Sequence, residues 1–418
     1  MKKKNKKPLE REASINLTSD SEQEVETLPD SEHVEKYKAK SKKLKIVKAV
    51  LLMVTVLFIL GGFSIFRDDI SVDGLRYLFK YFDISSSHLS DDTVELNINT
   101  ENSMKSGIYR SGIAVLKTSS FEIYDYSGEK ILDDRLSFTN PEMVIGGKYI
   151  LVYDIGGKTA RIYNTYSLLW EETYDYPITS ADINDNGFFC VATGEKGYNS
   201  VVYAYNNSFE KIYRWVSGDK YVLDVSYCGS SASRFAVAAF KSEDGDYISD
   251  VYIFDTGEEQ PVYQETRNDE LVIDAQYSNE DSLKLLSDKR FTVINPDGES
   301  EAVETSFAEE SLKMFCFGEN YSAFLVNESI IGQSNQLLCF DANGNMVYSS
   351  EINAQVLDLK IYDNCVFALT AGKLYAHNPE TDNASEYEID KDLKQILPIS
   401  ENSMALVGDE RISFLITD

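Results

Sequence analysis

Catalysis by a nucleophilic triad or a histidine-rich metal site needs imidazole groups, and this chain has three: His33, His88 and His377. Only His377 lies beyond residue 91, so a Ser-His-Asp site or a metal centre in that part of the chain would rest on it alone. The spacing reads His377 as a hairpin residue instead. The five cysteines, Cys190, Cys228, Cys316, Cys339 and Cys365, are odd in number and contain no C-x-x-C pair. Most lie in or beside apolar runs, so buried free thiols are expected, with a single bridge as the alternative. The segment from Asp182 through Asn184 and Asp185 to Gly187 resembles a calcium loop at its start. Counted from Asp182, position twelve is Thr193, which cannot supply the bidentate carboxylate. The segment is therefore read as a turn that connects strands. Carboxylates are so abundant that pairs of them carry little information. No catalytic, cofactor-binding or metal-ligating residue is assigned, and the chain is not expected to be an enzyme.

The elements that would position any site are of two kinds. The first is a run of eighteen uncharged residues, 49–66, twelve of which are Leu, Ile, Val or Phe. Begun at Ile46, it spans roughly 31 Å as a helix, close to a hydrocarbon core of about 30 Å. Lys36, Lys38, Lys40, Lys42, Lys43, Lys45 and Lys48 precede it, whereas Arg67 is followed at once by Asp68 and Asp69. The positive-inside rule places the N-terminus in the cytoplasm and the chain beyond the helix on the outer side. The apolar run starts too far into the chain for a cleaved signal peptide. The expected organisation is a disordered cytoplasmic tail (1–45), a transmembrane helix (46–66), a juxtamembrane segment (67–91) and an extracytoplasmic domain (92–418) at the plasma membrane. Within 67–91, Leu75, Leu78, Phe79 and Phe82 share one helical face.

Charge divides at the same place. Residues 1–48 hold 13 Lys and Arg against 9 Asp and Glu, and the remainder holds 27 against 60, for a net charge of −29. So acidic a domain repels nucleic-acid phosphates, and no nucleic-acid partner is expected.

The second kind of element is a repeat. Strand-like runs end in an Asx-type turn at Asp125, Asn164, Asn206, Asp255, Asn295, Asp341, Asn378 and, at the last run, Thr417, with spacings of 37 to 49 residues. Each is preceded by another apolar run and several are followed by a third, so each unit of about forty residues holds four short antiparallel strands. That pattern predicts an all-β fold, an eight-bladed β-propeller, with seven blades as the alternative if SLKLLSDKRFTVINPDGE merges with a neighbour. The last unit lacks a fourth strand, and TVELNIN (93–99) is predicted to supply it by pairing with residues 411–417. A quinone-dependent propeller would need repeated Trp docking motifs, yet only Trp170 and Trp215 occur, and no S-x-D-x-G-x-x-W sialidase box is present.

The remaining candidate is a binding rim. Three segments between second and third strands read as long loops: 194–200, 241–249 and 327–335. Lys196, Tyr198, Asp244, Asp246 and Tyr247 give them the aromatic and charged mixture of interfaces.

The anchor followed by KYILVYDIGGKTARIYN, EKGYNSVVYAYNNSFEKIYRW and VLDVSY resembles DUF5711, an uncharacterised family of membrane proteins from clostridial-type Gram-positive bacteria. The resemblance covers residues 45–418 and implies a membrane-anchored propeller. The expected function is an interaction scaffold or ligand sensor at the cell envelope with a protein partner there; the alternative is a propeller enzyme acting on cell-wall glycan.

Overall fold

In DVYIFD every side chain is apolar except the terminal aspartates, so a sheet built from it must be covered on both faces. A computed structural model, which describes residues 48, 51–54, 96–97, 104–229, 231–278, 282–295, 303–306, 311–327, 335–400 and 403–416, shows how. Residues 85–418 form one unit and residues 1–84 another. Within the first, the described strands make eight four-stranded antiparallel sheets. Blades 1 to 7 are residues 105–135, 141–173, 180–217, 221–268, 272–306, 311–352 and 356–388, each a meander of strands A to D. Blade 8 takes A to C from residues 393–416 and its D strand from Leu96–Asn97. In blade 4, Val251 and Ile253 pack on Leu283 and Leu285 of blade 5, while Tyr252 and Phe254 pack on Val202 and Ala204 of blade 3.

The segment that could have merged with a neighbour stands as blade 5, so there are eight blades and the seven-bladed alternative fails. Closure is as predicted: Leu96 pairs with Ile412 and Asn97 with Arg411. Leu96 is buried among Ile113 and Val115 of blade 1 and Val407, Ile412 and Phe414 of blade 8. The A strands of blades 1 and 8 also touch, completing the ring.

The C-to-D turns use the Asx residues as expected. Asp125 Oδ1 accepts from the backbone N–H groups of Ser127 and Glu129, and Asn206 and Asp341 repeat that arrangement. These bonds replace turn hydrogen bonds that a tight reversal leaves unmade.

The predicted tail (1–45) and juxtamembrane segment (67–91) lie outside the described residues. Of the predicted span (46–66), Lys48 and Leu51–Val54 are described and helical. No helix among the described residues is long and apolar enough to cross a membrane.

Candidate functional site

Two of the three predicted rim loops are extensions of strands. Glu195 pairs with Tyr198 around a two-residue turn, Lys196-Gly197, and Glu243 pairs with Asp246 around Asp244-Gly245. Asp244 and Gly245 both take left-handed φ, 54° and 98°, the geometry that matches the twist of a two-residue hairpin. The third loop, 327–335, lies largely outside the described residues.

These hairpins stand on one rim of adjacent blades, because in a meander the B-to-C turns and the connections to the next blade share a side. Lys196, Tyr198, Asp244, Asp246 and Tyr247 are all exposed there. Tyr198 is covered by the Arg214 guanidinium, 5.6 Å above its ring, and Arg214 is held by Glu195 at 2.7 Å. Tyr247 sits 6.3 Å from Phe240, which in turn sits 6.0 Å from Tyr221. Tyr221 is 52% exposed and Tyr247 49%, and Tyr176 packs over Gly194 on the same rim. The sequence reading missed Tyr176, Tyr221, Phe240 and Arg214; strand register brings Tyr221 opposite Phe240, which no local pattern announces.

The inner wall carries a second group. An A strand has a ladder partner on one edge only, so its other N–H groups need acceptors. Side chains of the preceding blade supply them. Asp182 accepts from Tyr227 N at 2.7 Å, Asp224 from Ala275 N at 2.9 Å, Ser226 from Tyr277 N at 3.1 Å, and Asp358 from Ile396 N at 2.9 Å. Asp182 thus lies in a strand, and the turn expected there is closed by Asn184, whose Oδ1 accepts from Asn186 N and Phe188 N. Asp274 continues the series but accepts no hydrogen bond among the described residues. Burial, reinforced by the charges of Asp224 and Asp182, pushes it up to about 8. Asp224 is pushed up to about 6 by burial against the pull of its hydrogen bonds from Ala275 and Ser180. Both remain partly accessible because the wall faces the ring's centre, yet protein surrounds them closely enough to weaken their hydration.

His377 is a correction. It is not a turn residue but lies within strand C of blade 7, paired with Val366 and Ala384, 5% exposed and stacked on Tyr348 with ring centroids 3.5 Å apart. All five cysteines are free thiols, with Cys190, Cys228 and Cys339 buried. Among the described residues no group of three or more His, Cys, Asp or Glu side chains is placed to hold a metal ion.

The model of the family of unknown function DUF5711 matches residues 86–415, which spans the whole ring. The chain belongs to DUF5711. No curated protein matches it. Among solved structures, this DUF5711 propeller is similar to BamB from Moraxella catarrhalis, at 10% identity over 77% of this chain and 98% of that one, with a TM-score of 0.50. It is also similar to Saccharomyces cerevisiae Sqt1, at 10% identity over 78% and 98% of the two chains and a TM-score of 0.57. Likeness at this identity establishes the propeller fold and nothing finer.

Proposed function

We propose that this DUF5711 protein is a single-pass membrane protein whose extracytoplasmic propeller acts as an interaction scaffold or sensor at the cell envelope, with the B-to-C rim of blades 3 and 4 as its docking face. The observation that carries the reading is an aromatic row in which the half-buried Phe240 lies between the exposed Tyr221 and the exposed Tyr247 of a raised hairpin, beside Tyr198 and its Arg214. Tyr and Arg presented on rigid strands are the side chains that dominate protein interfaces. Three of the channel carboxylates, Asp182, Asp224 and Asp358, are committed to hydrogen bonds between blades, which favours a scaffold over a glycan-cleaving enzyme. Leu51–Val54, helical and 59–69% exposed, supports the anchor, since four consecutive apolar residues in water would be unfavourable. Their flanking lysines support a cytoplasmic N-terminus.

A photo-crosslinking residue at Tyr247 should trap a discrete envelope protein, and one at the exposed Asn343 of the opposite rim should not. Tyr247→Ala combined with Tyr198→Ala should weaken the isolated complex by roughly tenfold or more, as loss of interface anchors does. Equal trapping from both rims, or affinity unchanged by the double variant, counts against the reading.

A further inference from the structure

Between the outer strands of blades 6 and 7 lies a cavity of about 290 Å³, lined among others by Tyr348, Ser350, Tyr375, His377, Ala384 and Glu386. Its origin shows when the blades are laid over one another. Tyr163, Tyr205 and His377 each stand immediately before the Asx residue of their turn: Asn164, Asn206 and Asn378. Facing them from the preceding blade are Asp134, Glu172 and Ser350, each paired across strands with the residue four places before that blade's own Asx residue. At the first two interfaces the slot is full: Tyr163 Oη donates to Asp134 at 2.7 Å and Tyr205 Oη to Glu172 at 2.9 Å. At the interface of blades 3 and 4 it is filled by Trp215 against Phe254, with centroids 5.6 Å apart. Between blades 6 and 7 both members are smaller. Neither imidazole nitrogen of His377 has a hydrogen-bond partner among the described residues, and Asp382 comes no nearer to Nε2 than 3.9 Å.

We propose that this slot is a binding site for a primary alkylammonium group on a short apolar stem, either a free diamine or the side chain of a lysine presented by a polypeptide. Buried, His377 is held below its ordinary pKa, against the weaker opposing pull of Asp382, and so stays neutral. One of its nitrogens is then an acceptor with nothing to accept. The floor is aliphatic, from Leu337, Ile352, Val366 and Ala368, and suits a methylene stem. Around it Asp382, Glu386 and Glu388 outnumber Lys373, which bridges the last two. That balance admits a cation and repels a carboxylate. An apolar ligand would leave the already buried imidazole nitrogen unpaired and so gains nothing there, whereas an ammonium group supplies the missing donor.

The test follows the His377 ring resonance of the full-length protein in detergent, assigned by its loss in a His377 variant, during titration with 1,5-diaminopentane, Nα-acetyl-lysine amide, pentanol and acetate. Saturable shifts from the amines, at least tenfold tighter than any from pentanol or acetate, are expected. Preference for the diamine indicates a free amine and preference for the lysine amide a polypeptide. Two variants separate the site from the fold. Ala384→Leu keeps the imidazole but fills the slot, and should abolish the shift. Ser350→Glu with His377→Tyr rebuilds the pair of the earlier blades, and should lose amine binding, by a calorimetric titration, without lowering Tm. No shift from either amine, equal shifts from acetate, or amine binding retained in both variants overturns the proposal.

Discussion

Asp274→Asn should stabilise the propeller at pH 8 by roughly 1–3 kcal/mol and flatten the dependence of its stability on pH. In the folded ring Asp274 sits on the inner wall near Asp224 and Asp182, and its pKa stands at about 8, because burial disfavours the charged form and the two neighbouring carboxylates add to it. Unfolded, the same group titrates near 4. A group whose folded pKa is raised holds its proton more tightly when folded. Its contribution is fully present below about pH 4 and is lost as pH rises through the folded values, here about 6 for Asp224 and about 8 for Asp274. The two titrate as a linked pair, so the loss should extend across that interval rather than fall in two separate steps. The expected gain is smaller than the full shift would give, because both groups keep some contact with water.

A limit on the acid side comes from carboxylates with the opposite shift. Glu270 is gripped by Arg267 at 3.0 Å and Arg290 at 2.7 Å, which overcomes the effect of its burial and lowers its pKa. Glu122 is lowered likewise by Lys130 and Tyr124 against its burial. Their contribution is present above about pH 4.5 and is lost as pH falls through their depressed values. Urea denaturation at pH 5, 6, 7 and 8 should therefore show the wild type weakening steadily toward pH 8 and Asp274→Asn weakening less. Parallel curves for the two proteins would remove Asp274 from the account. Asp224→Ala is expected to act in the other direction. It strands Ala275 N and the Ser180 hydroxyl at a blade interface and should cost about 2–4 kcal/mol at pH 5, and less toward pH 8, where the charge it removes is itself unfavourable.

That contrast marks what the chain reveals before it is folded. A blade is a local object: two-sided apolar strands and an Asx turn recurring about every forty residues are visible in the run from Asp250 to Glu258, and the count of eight rests on them. The closing strand is legible because TVELNIN has no partner in its own neighbourhood. Contacts between blades are not. Asp182 and Tyr227 are 45 positions apart, and nothing near Asp182 announces that it will accept a hydrogen bond from the next blade. For the same reason the Asp182 segment reads as a turn. Composition picks out the rim residues but not their setting, since GEKGYNS has the make-up of a loop while its ends pair as strands. His377 shows the reverse error. Polarity and nearness to Asn378 suggest a turn, whereas its register opposite Val366 and Ala384 places it in an interface where other blades carry tyrosine.

Leu96→Asp should have the largest effect on stability of any single change considered, about 3–5 kcal/mol, and the damage should be localised. Leu96 is 4% exposed and lies where the two ends of the ring meet, with Gly128 so close that a methyl group there would come within 2.7 Å of its Cδ2. A carboxylate at this position would stand among apolar side chains and replace contacts with Ile113 and Val115 on one side and Ile412 and Phe414 on the other. Blade 8 differs from the other blades in taking its outer strand from the far end of the domain, held among the described residues through the pairing of Leu96 and Asn97 with Ile412 and Arg411. Loss of that pairing exposes the C strand of blade 8 as an open edge. Hydrogen exchange should therefore accelerate first at Arg411–Ile416 and next in the A strands of blades 1 and 8, which touch across the seam. Blades 3 and 4, distant from it along the chain and joined by Trp215 against Tyr252 and Phe254, should keep their protection until the whole ring unfolds. Uniform loss of protection around the ring would mean that the seam is no weaker than any other interface and that closure is not what limits stability.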